Sequence, residues 1–258
     1  MKNVYKLLIV AGLLSVSSMA GAAATYAGFE FSANVALTSD YVFRGISQTD
    51  EDIAIQGGFD VNHETGFYAG LWGSNLEFGE NPAVDGMGDG ADIELDLYAG
   101  FSHEIPFINT GTEFDVGFLH YGYPGAGERR NYDYDEWYGS VSHDFDFAAA
   151  SVGLNYSDDY FAASGDATYV YVDVDVPLKF IPTPIEIALN LHWGNQNISK
   201  NVTFGTPDYN DYKVGVSTDI EGFGLALDFI DTDLSKGQCF GGSNLCEDRV
   251  VFTVSKSL

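Results

Sequence analysis

The chain is poor in positive charge. Eleven Lys and Arg stand against 38 Asp and Glu, a formal net charge of −27. That balance excludes nucleic acid as a partner, because phosphate binding draws its affinity from a basic stripe and counterion release. Cysteine is nearly absent as well, with Cys239 and Cys246 the two in the chain. They lie in CFGGSNLC, a loop composition that an oxidising compartment closes with a disulfide. With no CxxC or clustered histidine beside them, they do not form a zinc site. Sustained helical periodicity is missing too. What is abundant is aromatic and glycine content: 19 Phe, 16 Tyr, 3 Trp and 30 Gly. Acidic disordered chains lack such aromatics, so a folded and mainly β body is expected.

The first two dozen residues are set apart. Lys2 and Lys6 precede the apolar stretch Leu7 to Leu14, and Ala20-Gly21-Ala22 or Ala22-Ala23-Ala24 offers a small-residue cleavage site. This is the pattern of a secretory signal peptide over residues 1–23, with an apolar stretch too short to cross a bilayer. Residues 24–258 are then the exported body.

That body alternates with a period of two, which only a strand produces. In ADIELDLYAGFS, Ile93, Leu95, Leu97, Ala99 and Phe101 oppose Asp92, Glu94, Asp96 and Tyr98. YVYVDVDVP sets Val170, Val172, Val174 and Val176 against Tyr169, Tyr171, Asp173 and Asp175, and IEIALNLHW and FEFSANVAL do likewise. About twelve such segments occur, each of roughly ten residues, the length a tilted strand needs to cross a bilayer. The connections decide between a soluble sandwich and a membrane barrel. Long ones (46–52, 77–90, 122–133, 157–166, 195–209, 233–246) alternate with mostly tight ones (63–65, 144–145, 179–183, 220–222, with 103–110 the longest). The expected fold is an all-β transmembrane antiparallel up-and-down barrel of about twelve strands in the outer membrane of a Gram-negative bacterium. Both termini are expected on the periplasmic side. Tyr41, Phe43, Phe67, Trp137, Trp193, Phe204 and Phe229 stand near strand ends, where an interfacial aromatic girdle is expected. Val250, Phe252, Val254 and Leu258 share one face of the closing strand, interrupted by Lys256.

The stretch NVALTSDYVFRGISQTDEDIAIQGGFDVNHETGFYAGLWGSN, Asn34 to Asn75, resembles the opening of a proteobacterial family described as of unknown function and also as the TorF porins. The similarity of layout continues to the closing VVFTVSKSL. The resemblance implies an outer-membrane barrel with pore activity and does not identify the solute.

Barrels of about eight strands are filled by their own side chains and those of sixteen or more leave an open channel, so twelve strands imply a narrow pore whose lining matters. On the parity opposite the apolar face lie Glu30, Asp40, Asp60, Asp92, Glu94, Asp96, Glu113, Asp115, Glu136, Asp173, Asp175, Glu186 and Asp228, facing Arg44, Lys213 and Arg249. A lumen lined this way favours cationic or neutral solutes over anions. Arg44, on the parity of Asp40, is placed inside near the outer rim, where it either shapes a constriction or sits in structural ion pairs.

Two other classes compete with the pore. An outer-membrane hydrolase needs a nucleophile and base, and of the five histidines only His120 and His192 fall near the outer rim; neither GxSxG nor HExxH occurs. An adhesive or structural barrel would work through its loops. There Asp85 and Asp89, with Asp92, partly resemble a calcium loop, but Met87 stands where an oxygen ligand is needed. The expectation is a non-enzymatic channel without a cofactor or dedicated metal. Its expected partners are outer-membrane lipid and lipopolysaccharide, the barrel-assembly machinery and small solutes.

Overall fold

The computed structural model describes residues 24–79, 90–105, 111–127, 131–183 and 185–258. The leader assigned to residues 1–23, and Asp85 and Asp89, lie outside them. Twelve long strands form a closed antiparallel barrel, and only these are numbered. They are β1 Phe29–Thr38, β2 Ala54–His63, β3 Phe67–Phe78, β4 Ala91–Glu104, β5 Thr112–Gly122 and β6 Tyr134–Asp144. There follow β7 Ala149–Ser157, β8 Ala167–Pro177, β9 Ile187–Ile198, β10 Tyr209–Ile220, β11 Phe223–Thr232 and β12 Arg249–Ser257. Each strand pairs with its neighbour in sequence, and β12 closes on β1 through Thr253 opposite Thr38 to Ser257 opposite Asn34. Closure leaves no unpaired edge, the condition for a sheet to stand in lipid. Long connections gather at one end of the barrel and the shorter ones at the other.

The alternation becomes two surfaces. Phe59, Leu71, Ile93, Leu97, Val116, Val152, Val214 and Leu227 are exposed on the outside. Their polar and aromatic alternates turn inward. A soluble protein rarely leaves so continuous an apolar band uncovered; lipid is the medium that matches it. Phe67, Trp137, Trp193 and Phe229 belong to that outer surface. Tyr41 and Phe43 do not: Tyr41 is buried and packs edge-on against Trp72, and Phe43 against Tyr121, inside the barrel. The girdle assignment fails for this pair because their segment folds into the lumen instead of following the wall, and it fails for Phe204, which packs against Tyr160 and Phe240 among the long connections.

Inside, tyrosines lie flat over cross-strand glycines. Tyr98 covers Gly70, Tyr68 covers Gly100, Tyr138 covers Gly117 and Tyr171 covers Gly153, each pair directly opposite in register. Tyr169 covers Gly194, where an added Cβ would strike both its phenol and the Asp211 carboxylate. The glycines keep bulky rings against the wall and so set the free width of the lumen. Gly194→Val is therefore expected to cost about 1–3 kcal/mol through overpacking, read as a lower unfolding temperature in detergent. Gly139→Ala, whose Cβ would meet Val116 at an ordinary 3.6 Å, should leave that temperature unchanged.

The last long connection is closed by a Cys239–Cys246 disulfide with both cysteines buried. Replacing both by serine is expected to cost about 2–3 kcal/mol, the loop-closure entropy of so short a ring. The loss should appear as a lower unfolding temperature under oxidising conditions and vanish when wild type is compared under reductant.

Candidate functional site: an acidic lumen narrowed by an inward hairpin

The first long connection, between β1 and β2, turns into the barrel. Val42–Phe43 and Ile46–Ser47 form a small hairpin whose two-residue turn has positive φ at both positions, 48° at Arg44 and 78° at Gly45. That is the geometry of a tight primed turn, which glycine adopts freely and arginine does not. The stem is anchored to the wall. Asp40 pairs with Arg249 of β12 at 2.8 Å and accepts hydrogen bonds from the hydroxyls of Ser47 (2.7 Å) and Thr49 (2.8 Å). The Ser47 amide donates to the Leu245 carbonyl at 2.9 Å, joining the hairpin to the disulfide-closed loop.

The tip carries Arg44 into the lumen, where its side chain is 1% exposed. Its Nη2 donates to Glu136 of β6 at 2.7 Å and its Nη1 to the Gln196 amide oxygen of β9 at 2.8 Å. The guanidinium also lies over the rings of Tyr169 (4.3 Å) and Phe43 (4.7 Å). Burial is the largest influence and disfavours its charge, but Glu136 and the surrounding Tyr160, Tyr121 and Tyr134 together outweigh it and hold Arg44 protonated beyond its already high ordinary value. Around the tip, at the long-loop end, an aromatic cluster fills the mouth. Tyr132 stacks on Phe161 with centroids 4.5 Å apart, and Tyr134 packs edge-on against Tyr160 at 4.7 Å. Burial pushes the Tyr160 phenol up to about 12, with the Arg44 charge partly opposing.

Below the hairpin a cavity of about 110 Å³ is lined by Arg44, Tyr169, Asp173, His192, Asp211 and Asp228 among others. His192 lies between two carboxylates, Nδ1 2.7 Å from Asp173 and Nε2 3.0 Å from Asp211, and the Tyr169 hydroxyl reaches Asp211 at 3.0 Å. Toward the short-turn end, other acids are also held by phenols. Tyr98 donates to Asp60, and Tyr68 to Asp115 at 2.6 Å. Asp175 accepts from the Asn190 amide at 2.6 Å. Phenols and amides stabilise carboxylates on the wall without cancelling their charge.

The acids assigned to the lumen from parity thus have different positions. Asp40, Glu94, Asp96, Glu136 and Asp228 are buried, and Asp60, Asp115, Asp173 and Asp175 are partly covered on the inner face. Glu113 is half-buried at the start of β5, opposite Glu104. Asp92 and Glu186 are exposed, and Glu186 precedes the first residue of β9. Asp92 stands beside a register shift between Asn75 and Phe78 of β3, where Ala91 is buried and Asp92 is not. Glu30 is exposed near the short-turn end, while Lys213 and Arg249 face inward. Of the histidines weighed for catalysis, His120 pairs with Asp135 at 2.7 Å in an exposed position and His192 belongs to the lumen cluster. Among the described residues no group of three His, Cys, Asp or Glu is placed to hold a metal ion. Asp211 and Gln196 are the important residues that the pattern reading passed over. Asp211 stands two positions from Lys213 on the same parity, a signal the alternation already held.

A family profile described as "Bacterial protein of unknown function (Gcw_chp)" matches residues 22–258. The chain belongs to that family. No curated protein matches it. Among solved structures it is similar to the KdgM porin, with a TM-score of 0.54 at 6% identity over 88% of this chain and 97% of that one. It is also similar to the NanC porin, with a TM-score of 0.50 at 7% identity over 87% and 97%. At these identities the likeness is one of fold: this chain shares the barrel architecture of those two porins.

Proposed function

We propose that this Gcw_chp protein is an outer-membrane porin of the TorF type, passing small cationic or neutral solutes passively through a narrow acidic lumen. In this reading residues 1–23 are removed on export, the long loops face outward, and both termini lie on the periplasmic side. The apolar belt stands in lipid, with lipopolysaccharide around its outer rim and the barrel-assembly machinery as its insertion partner. The observation that carries the reading is the lumen itself. Inward carboxylates on at least five strands greatly outnumber the inward cations Arg44, Lys213 and Arg249. Of these carboxylates, Asp60, Asp115, Asp173 and Asp175 are only partly covered; charges of one sign are tolerable where water or mobile counterions reach them, and an acidic wall there favours cations. The fold shared with porins supports a channel over a hydrolase or an adhesin. Purified protein added to planar bilayers is expected to give discrete conductance steps. A barrel that inserts, resists proteolysis and never conducts would overturn the proposal.

A further inference from the structure

Arg44 shows what the lumen wall recognises. Apart from Phe43 and the Tyr160 ring of the connection between β7 and β8, the groups that hold its guanidinium belong to the barrel strands: a carboxylate on β6, an amide oxygen on β9 and an aromatic face on β8. These groups are fixed from behind. Glu136 accepts from the Asn155 amide at 2.9 Å and the Tyr121 hydroxyl at 3.3 Å. The Gln196 amide nitrogen points at the Thr168 and Asn197 carbonyls, 3.4 and 3.5 Å away, which leaves its oxygen facing the guanidinium. A carboxylate, a neutral acceptor and a flat ring suit a planar cation with a fork of donors, and suit a compact ammonium poorly. The stem that carries Arg44 is anchored separately through Asp40 and Arg249, so the tip is a ligand on a short tether. Its Nε is buried without a hydrogen-bond partner. The cavity begins directly beside Arg44 and Gly45.

Resting on the porin reading, we propose that the wall formed by Glu136, Gln196 and Tyr169 is a guanidinium-binding site. Arg44 occupies it as a tethered ligand, and solutes bearing a guanidinium group are the class the channel takes. The tether gives Arg44 an effective concentration in the millimolar range, which a free solute must match to displace it. Once displaced, the tip no longer narrows the passage to the cavity, where Asp173, Asp211 and Asp228 offer the next carboxylates.

The test uses the purified full chain in detergent, with guanidinium chloride and methylammonium chloride compared at low millimolar concentration and constant ionic strength. In Arg44→Ala the vacated site should bind guanidinium, raising the unfolding temperature by several degrees where methylammonium does not. Wild type, whose site is filled, should show no such rise, and neither should Arg44→Ala combined with Glu136→Gln. Arg44→Met, which keeps the aliphatic stem, replaces Arg44→Ala if the smaller side chain prevents folding. On wild type itself, a bilayer with guanidinium on one side and methylammonium on the other should give a reversal potential favouring guanidinium. Equal responses to the two cations in either measurement, or a rise that survives loss of Glu136, would overturn the site. Absence of any conductance would overturn the porin reading while the unfolding temperatures still decide the site.

Discussion

Glu136→Ala is expected to release the hairpin and raise single-channel conductance several-fold. Glu136 accepts three hydrogen bonds, from Arg44, Asn155 and Tyr121, and is the counter-ion of a guanidinium that water does not reach. Removing one partner of a buried ion pair costs about 3–5 kcal/mol, because the remaining charge stays desolvated without compensation. Arg44 can avoid that cost by leaving: its turn is two residues long and its anchors lie in the stem. The equilibrium between docked and withdrawn tip should therefore shift by an amount that empties the docked state. Two measurements check this together. Conductance rises as the constriction opens, and the Arg44–Gly45 turn becomes a site of tryptic cleavage. Unchanged conductance with an intact tip would mean that the neighbouring aromatics hold the hairpin without the ion pair.

Arg249→Ala is expected to act on the fold instead of the gate. Arg249 donates to Asp40 at 2.8 Å and to the backbone carbonyls of Leu245 (2.7 Å), Asn244 (2.9 Å) and Glu247 (3.0 Å). One side chain thus joins the hairpin stem, the last long connection and the closing strand. Its loss leaves Asp40 buried with hydroxyl donors but no cation, a penalty of about 3–5 kcal/mol. The folded form should convert to the unfolded one at a markedly lower temperature in heat-modifiability gels. Arg249→Lys restores the charge without the planar fork, so it should recover part of the loss. Full recovery would mean that the carbonyl contacts contribute little.

Local pattern exposed the barrel and missed its plug, for a physical reason. Alternation, strand length and the alternating loop lengths are properties of neighbouring residues, and each is visible in segments such as Ala91 to Ser102. The disulfide is equally local, its cysteines seven residues apart. The constriction is not local. Arg44 meets Glu136 and Gln196 across separations of 92 and 152 residues, and no periodicity encodes such a contact. Parity was enough to bring Arg44 and the acids to the inner face, but not to distinguish a guanidinium lining the wall from one reaching across it. Asp92 shows the complementary weakness: beside the register shift where β3 and β4 meet the long connection, it is exposed although Glu94 and Asp96 on its parity are buried. The tyrosine and glycine pairs needed the register: Tyr98 and Gly70 become partners only once β3 and β4 are aligned.

The sign of the lumen's preference is the property on which a cation channel and a neutral pore differ. Wild-type protein in a planar bilayer between unequal potassium chloride solutions should give a reversal potential close to the potassium equilibrium potential, because inward carboxylates admit potassium and repel chloride. A reversal potential near zero, or one on the chloride side, would contradict the claim that the acids of this barrel face the path of the permeating ion.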